Sequence, residues 1–495
     1  MRFHLIYGSL TPTFSKEEGL PISHYHQLPQ ITPNPHFPYL PELQTHLDGK
    51  ELLLTEIPFL LETLQAHYEQ GYVRLAAGIG KKQKGLLCNR CGNSNSSLFA
   101  SFSCSKCGEQ NCHYCRNCIM MGRVSECTPL YSWSGPTVQV PQSSGLDWEG
   151  ELSKGQALAS DQVVKAVKDY SELLVWAVCG AGKTEVLFKG IEQALSDNKK
   201  ICIATPRTDV VLELAPRLQK VFPSTSVAAL YGGSEDRHKH ATLTISTTHQ
   251  LLRFKQTFDC IIVDEVDAFP YSADASLQFA VQKSRKDKSS LIYLTATPNK
   301  KWKNEVQQNK RKAVRIPARY HGHPLPVPEF VWGGNWKKLL EKGGLPSKVI
   351  EWLKTRISAN KQAFLFVPSV SIIDEVVKIC RKLDERIEGV HAEDPERREK
   401  VKKFRSGSMP VIITSTILER GVTIPNSDVA VLGSEDDIFT ESALVQISGR
   451  VGRSASYPTG NVTFFHYGKT QAMVEARKHI LKMNDEAKRG GYLKE

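Results

Sequence analysis

Ala177-Val-Cys-Gly180-Ala181-Gly182-Lys183-Thr184 joins a run of buried-strand type, Leu173-Leu-Val-Trp-Ala, to an amphipathic segment from Glu185 to Leu195. Glycines in such a strand-to-helix loop let backbone N–H groups close around phosphates. The lysine at its end reaches the terminal phosphates, and the following hydroxyl can hold Mg²⁺ where the helix begins. This spacing predicts nucleoside triphosphate binding through Gly180, Ala181, Gly182, Lys183 and Thr184. Ala177 stands where the G-x-x-x-x-G-K-[ST] pattern has its first glycine, so other motifs must carry the reading further.

Two groups downstream do so. After the apolar run Cys260-Ile-Ile-Val comes Asp264-Glu265-Val-Asp267. A carboxylate at a strand's C-terminal end can hold Mg²⁺, and one beside it can orient the attacking water, so Asp264 is assigned to the metal and Glu265 to the water. In isolation such acids often cap helices; behind a phosphate loop and a βα pattern they read as hydrolytic. Gln446-Ile-Ser-Gly-Arg450-Val-Gly-Arg453 follows a helical run, and its arginines, three residues apart, are expected to share one helix face. Arginines so placed stabilise the charge on a transferring phosphoryl group, worth roughly 10³ to 10⁵ in rate.

Seven of the twelve cysteines fall between Cys88 and Cys118. Cys88-Asn-Arg-Cys91-Gly and Cys104-Ser-Lys-Cys107-Gly are C-x-x-C-G knuckles, and Cys112-His-Tyr-Cys115-Arg-Asn-Cys118 follows. A C-x-x-C turn brings two thiolates onto one tetrahedral Zn²⁺, and the trailing glycine permits the tight backbone that aims N–H groups at the sulfurs. The opening Met1-Arg-Phe-His-Leu-Ile-Tyr-Gly has no signal-peptide apolar core, so a reducing, cytoplasmic setting is expected and zinc is favoured over disulfides. The twelve residues between Cys91 and Cys104 suggest a ribbon of Cys88, Cys91, Cys104 and Cys107. Zinc held by four thiolates has no open position for chemistry, so its role is structural.

These groups need a scaffold. Alternating βα patterns fill residues 151–320 and 345–495, predicting an α/β chain with two parallel-sheet motor domains. A Pro-rich crossing at 321–344 joins them, a small zinc module is read at 86–123, and 124–150, rich in Pro, Ser and Gly, reads as a linker. Residues 1–85 form an amino-terminal extension with scattered surface histidines and a helical period in Leu52-Leu-Leu-Thr-Glu-Ile-Pro-Phe-Leu-Leu. No stretch is apolar and long enough to span a bilayer. The formal charge of +12 suits a polyanionic partner. The most basic run, from Lys300 to Arg319, is read first as a solvated face and second as a contact for backbone phosphates.

Taken in order, the motifs resemble the series of superfamily 2 helicases, with tandem RecA-like domains. Leu152-Ser-Lys-Gly-Gln156 is similar to the adenine-recognising Q motif. Ala204 to Asp209 with Leu214-Ala-Pro-Arg217, Tyr231-Gly-Gly and Ser246-Thr-Thr-His-Gln250 resemble segments Ia, Ib and Ic. Thr295-Ala-Thr, Phe364 to Ser369 and Thr414 to Val422 resemble motifs III, IV and V. With Asp264-Glu-Val-Asp-Ala-Phe-Pro-Tyr, Phe439 to Gln446 and the cysteines upstream of the motor, the chain more narrowly resembles the ComFA family of competence DNA-uptake ATPases in Gram-positive bacteria.

That resemblance implies an ATP- and Mg²⁺-dependent motor on single-stranded DNA. Arg207, Thr208, Thr248, Thr414 and Thr416 would grip the strand, and Glu419, Arg420 and Gly421 would couple grip to hydrolysis. It runs through Tyr114-Cys-Arg-Asn-Cys118 and so pairs Cys88 and Cys91 with Cys115 and Cys118, leaving Cys104, Cys107 and Cys112 for a second Zn²⁺ with His113 or Cys127. The partners it implies are ComFC, DprA and the membrane DNA-uptake channel, at the inner face of the cytoplasmic membrane, and it leaves a homo-oligomer open. Three other readings stay in view: a replication-restart helicase of the PriA kind, which would carry its zinc module within the motor; an RNA helicase; and a zinc-anchored DNA-binding protein with a silent ATPase.

Overall fold

The computed structural model describes residues 1–13, 15, 18–82, 85–138, 145–416 and 424–494. It falls into two compact units. The first comprises Met1–Glu149, Val163–Leu173 and Lys189–Tyr293, the second Gly150–Gln162, Leu174–Phe188 and Leu294–Glu495.

In the first unit the amino-terminal residues form a domain with its own core. A hairpin of Arg2–Ile6 and Ser9–Thr13 precedes the helices Pro41–Leu47 and Leu61–Glu69. Each helix buries positions three or four apart, Leu43 with His46 and Leu47, and Leu64 with His67 and Tyr68. The helical period expected from Leu52 is not realised: Glu51–Leu53 is a strand, and the helix starts only at Leu61, beyond Pro58. That strand and Val73–Ala77 pair antiparallel with Pro129–Trp133 between them. The expected linker at 124–150 is therefore corrected at its start. Leu130 and Tyr131 are buried, and Pro129 occupies a strand's first position, where its missing N–H is tolerated.

The rest of the first unit is a parallel sheet. Its strands run Val227–Leu230, Leu243–Thr247, Ile201–Thr205, Phe258–Val263 and Arg285–Thr295, each hydrogen-bonded to the next. They read as near-continuous apolar runs because helices cover such a sheet on both faces.

The second unit carries the parallel pair Glu172–Ala177 and Ala313–Ile316. It also holds a six-stranded parallel sheet in the order Glu329–Trp332, Val462–His466, Ser427–Leu432, Gln362–Phe366, Val411–Thr414, Glu388–Val390. Leu365, Ile413 and Leu432 of this sheet pack with Val349 and Leu353 of the helix Ser347–Ser358 and Val376 of the helix Ile373–Cys380. The stretch 321–344 is more than a crossing. Its Glu329–Trp332 is the sheet's edge strand, with Phe330 stacked on Phe464, and Trp336 is buried. Its prolines lie just outside that strand, where an edge tolerates them. The chain thus has tandem RecA-like parallel sheets, and among the described residues no helix is long and apolar enough to cross a membrane.

Candidate nucleotide site and cysteine clusters

The phosphate loop leaves the strand Glu172–Ala177 and enters the helix Lys183–Ser196. Gly182 sits at φ 70°, and a Cβ there would overlap Gln156 Nε2 and stand 3.2 Å from Glu185 Oε2, so only glycine fits. Gln156 is buried. Its Oε1 accepts the Ser153 N–H at 2.9 Å, and its Nε2 donates to the Gly182 carbonyl at 3.2 Å, so this glutamine braces the loop itself. Ala181 is buried, while Lys183 and Thr184 remain half-buried at the helix start.

The same loop meets the arginine motif. Cys179 Sγ donates to Gln446 Oε1 at 3.0 Å, and a methyl group at Gly449 would stand 2.7 Å from that sulfur. Gln446 lies on the helix Glu441–Ser448, capped at its start by Thr440, whose side chain accepts the Ala443 N–H. This helix is held by Thr297 Oγ1 to Ser442 Oγ at 2.7 Å and by Lys303 and His479 to Glu441 at 2.7 and 3.0 Å.

The expectation that Arg450 and Arg453 share a helix face is corrected, because the helix ends at Ser448. Arg450 is buried, its guanidinium 5.8 Å from the Phe364 ring centre, and Arg453 is half-buried with Nε donating back to the Gly449 carbonyl at 2.9 Å.

Arg319 was hidden within the basic run. It is 1% exposed, its Nη1 donates to the Gly452 carbonyl, and its Cγ would lie 3.6 Å from a Cβ at Gly180. Nε and Nη2 have no partner among the described residues. Burial, with repulsion from Arg453 added, pushes its pKa down to about 10. Much of the same run is spent internally: Lys303 on Glu441, Arg311 on Glu305 and Arg315 on Glu486. That weakens the reading of the run as a phosphate contact. Nothing local in the sequence marks Arg319, since its contacts come from residues more than a hundred positions away.

In the first unit Asp264 and Glu265 end the strand Phe258–Val263 half-buried. Asp264 N–H donates to the Ala204 carbonyl and its Oδ1 accepts the Glu265 N–H, both at 2.8 Å. Glu265 has φ 55°, a left-handed conformation costing a side-chain-bearing residue on the order of 1 kcal/mol and found preferentially at functional sites.

The strand-gripping candidates differ. Arg207 is forked onto Asp209, with Nε to Oδ1 at 3.1 Å and Nη2 to Oδ2 at 2.8 Å, and Thr208 is exposed at the start of the helix Thr208–Val221. Thr248 opens the short 3₁₀ helix Thr248–Arg253 but is itself buried. Thr414 is corrected: it is buried and its hydroxyl donates to the Val390 carbonyl at 2.9 Å, so it is held inside the sheet, while Thr416 is half-exposed. Glu419, Arg420 and Gly421 lie outside the described residues.

The cysteines form two sets of four, Cys88, Cys91, Cys115 and Cys118, and Cys104, Cys107, Cys112 and Cys127, all buried with each set's sulfurs within 4.8 Å of one another. The spacing-based ribbon is not formed. In the antiparallel pair Phe99–Phe102 and Cys112–Cys115, Cys115 stands opposite Phe99 and Cys112 opposite Phe102, so one strand delivers its two ends to different clusters. Cys127, beyond the expected zinc module, is the fourth member of the second set, and His113 instead bonds Glu126 at 3.0 Å.

Separations of 3.6 Å for Cys88–Cys118 and Cys91–Cys115 and 3.8 Å for Cys104–Cys127 exceed a disulfide bond. They match the edge of a thiolate tetrahedron around Zn²⁺, about 3.8 Å for Zn–S bonds of ~2.3 Å. Without a cation, bonds to Cys115 push the thiols of Cys91 and Cys118 up, while Cys115 is held down by its bonds to Cys118 and Cys88. A bound metal is what would let all four ionise. Both sets therefore fit a structural Zn²⁺.

Comparison with known proteins agrees with this layout. Residues 36–132 match the model of the competence protein ComFA N-terminal domain, 149–300 that of the type III restriction enzyme res subunit, and 346–455 the helicase conserved C-terminal domain. The chain is similar to competence protein ComFA of Bacillus subtilis (strain 168), 51% identical over 90% of this chain and 95% of that one. It is also similar to competence protein ComFA of Streptococcus pneumoniae, 37% identical over 82% and 92%. A solved structure of S. cerevisiae Dbp5 bound to RNA and ADP BeF3 shares the fold, with a TM-score of 0.50 at 15% identity, over 70% of this chain and 94% of that one.

Proposed function

Because the chain belongs to the ComFA family of competence proteins, we propose that it is an ATP-driven translocase of single-stranded DNA that draws transforming DNA into the cell. That it is an ATP-hydrolysing enzyme of the helicase kind follows from its two helicase domains. The observation that carries the motor reading is the bond between Cys179 of the phosphate loop and Gln446 beside the arginine turn. A nucleotide arriving against that loop, or a phosphate leaving it, disturbs a contact that the arginine turn shares, which couples chemistry to movement.

In this reading ATP is the substrate. Lys183 and the loop amides take its phosphates, Gln156 keeps the loop in shape, and Arg450 and Arg453 neutralise charge as the phosphoryl group transfers. Thr184 and Asp264 are the residues that would hold Mg²⁺, which supplies further charge neutralisation on the phosphates. Glu265 would orient the attacking water. Thr208 is exposed and Thr416 half-exposed, so these two are open to a polymer backbone, while Arg207 would have to leave Asp209 to join them. ComFC, DprA and the membrane channel, at the cytoplasmic face of the membrane, are the partners this role calls for.

Hydrolysis by the purified chain, measured without polymer and with single-stranded DNA, double-stranded DNA or single-stranded RNA, tests the proposal. Single-stranded DNA is expected to stimulate most. Lys183→Ala is expected to lose on the order of a hundredfold or more of the activity. A rate indifferent to DNA, or higher with RNA, contradicts it.

A further inference from the structure

The seam by which the amino-terminal domain docks within the first unit is built from opposite charges. Asp48 takes Lys200 at 3.0 Å and His240 at 3.1 Å, Glu51 takes Lys255 and Lys283 at 2.7 and 3.2 Å, and Glu56 takes Arg253 at 2.7 Å as well as Arg90 of the first cysteine knuckle at 2.8 Å.

At one place the pattern reverses. Lys50, only 8% exposed, lines a pocket together with Arg237, Arg253, His46 and His238. Neither Lys50 nor Arg237 forms an ion pair among the described residues, and the nearby carboxylates of Asp48 and Glu56 are already engaged by other cations. Burial, with Lys200 and Arg253 opposing the pull of Asp48, pushes Lys50 down to about 8, and burial takes His46 down to about 4. Glu56, spent on Arg253 and Arg90, shares the lining with the neutral imidazole of His46 and with Leu52, Leu230 and Phe254, so Lys50 and Arg237 are the two cations of this pocket left uncompensated, a cost to the fold unless an anion comes to them.

Two of the pocket's sides come from turns next to the segments that resemble helicase motifs Ib and Ic. Arg237 lies on the 3₁₀ turn Glu235–His238 that follows Tyr231-Gly232-Gly233, and Gln250 and Arg253 lie on Thr248–Arg253. Arg237 and His238 are exposed at its rim, so a phosphate entering it need not be detached from a polymer. We propose that this pocket receives a backbone phosphate of the translocated nucleic acid, with Lys50 and Arg237 as its cations, so that the amino-terminal domain forms part of the polymer track. This rests on the proposed action on DNA and gives that domain a role of its own.

The test measures binding of a labelled oligothymidylate by the full chain across a salt series, for the unmodified protein, Lys50→Met, Lys50→Arg, and Lys50→Met combined with Arg237→Gln. The double variant is expected to bind roughly tenfold more weakly and to flatten the log–log salt slope by about 1.4, two contacts at ~0.7 each. Lys50→Arg is expected to restore binding. Melting temperature and affinity for a fluorescent ATP analogue are expected to be unchanged, or the melting temperature slightly raised by relief of repulsion.

DNA affinity and slope unchanged in the double variant overturn the pocket assignment alone, whereas no binding by the unmodified chain overturns it together with the proposed function. Lost binding accompanied by a lowered melting temperature, unrestored by Lys50→Arg, makes Lys50 a seam residue and also overturns it. Weaker competition by inorganic phosphate with DNA affinity intact would assign the site to a free anion instead, against the proposal.

Discussion

Gly449 and Cys179 approach so closely that no side chain fits between them. Gly449→Ala must push the phosphate loop and the arginine turn apart, an overpacking that costs about 1–3 kcal/mol. A lowered denaturation midpoint together with weakened hydrolysis is the expected pair of results. Arg319→Ala acts on the neighbouring turn: it removes the guanidinium donor to the buried Gly452 carbonyl, which keeps His321 Nε2 at 3.1 Å, a loss of about 0.5–1.5 kcal/mol, again read from the unfolding midpoint. The phosphate-loop residues were legible because their spacing alone encodes the chemistry. Arg319 was not, because a guanidinium in a basic run reads as solvated until the fold buries it. The two motif arginines were legible as types but not as geometry, since the sequence does not announce that the helix stops at Ser448.

At the scale of elements, the strand Cys112–Cys115 decides the metal chemistry by sending Cys112 to one cluster and Cys115 to the other. Sequence spacing cannot show which end of a hairpin a cysteine occupies, so it offered a ribbon that does not form. Metal analysis is expected to find two Zn²⁺ per chain and one after Cys127→Ser, with the first cluster retained; an unchanged content would count against the second site. The docking seam makes a pH prediction. Burial would raise the Asp48 pKa, but the hydrogen bond from His240 and the charge of Lys200 hold it at about 2. Its folded value lies below its unfolded one, so the stability it contributes is complete above about pH 4 and lost as the pH falls toward 2, on the order of 2 kcal/mol. The gap in stability between the natural chain and Asp48→Asn should therefore close over that window in urea titrations, and a gap independent of pH would refute the assignment.

For the whole molecule, two parallel sheets and a cysteine-bearing region ahead of them were readable from apolar runs, turn signals and C-x-x-C pairs. What escaped was the return of the chain at Pro129–Trp133 to a sheet begun at Glu51–Leu53 and the edge strand Glu329–Trp332. Proline and glycine near both suggested linkers, and pairing over long sequence separations leaves little local trace. These corrections make the amino-terminal domain a closed unit with the cysteine clusters rather than an extension before them. They leave untouched the proposal that hydrolysis drives movement along a single strand. Its most direct measurement is displacement of streptavidin from the end of a biotinylated single-stranded DNA, followed with ATP, without ATP, and with Lys183→Ala. Displacement that requires both ATP and Lys183 is expected; ATP hydrolysis stimulated by the strand with no displacement from either end would rule translocation out.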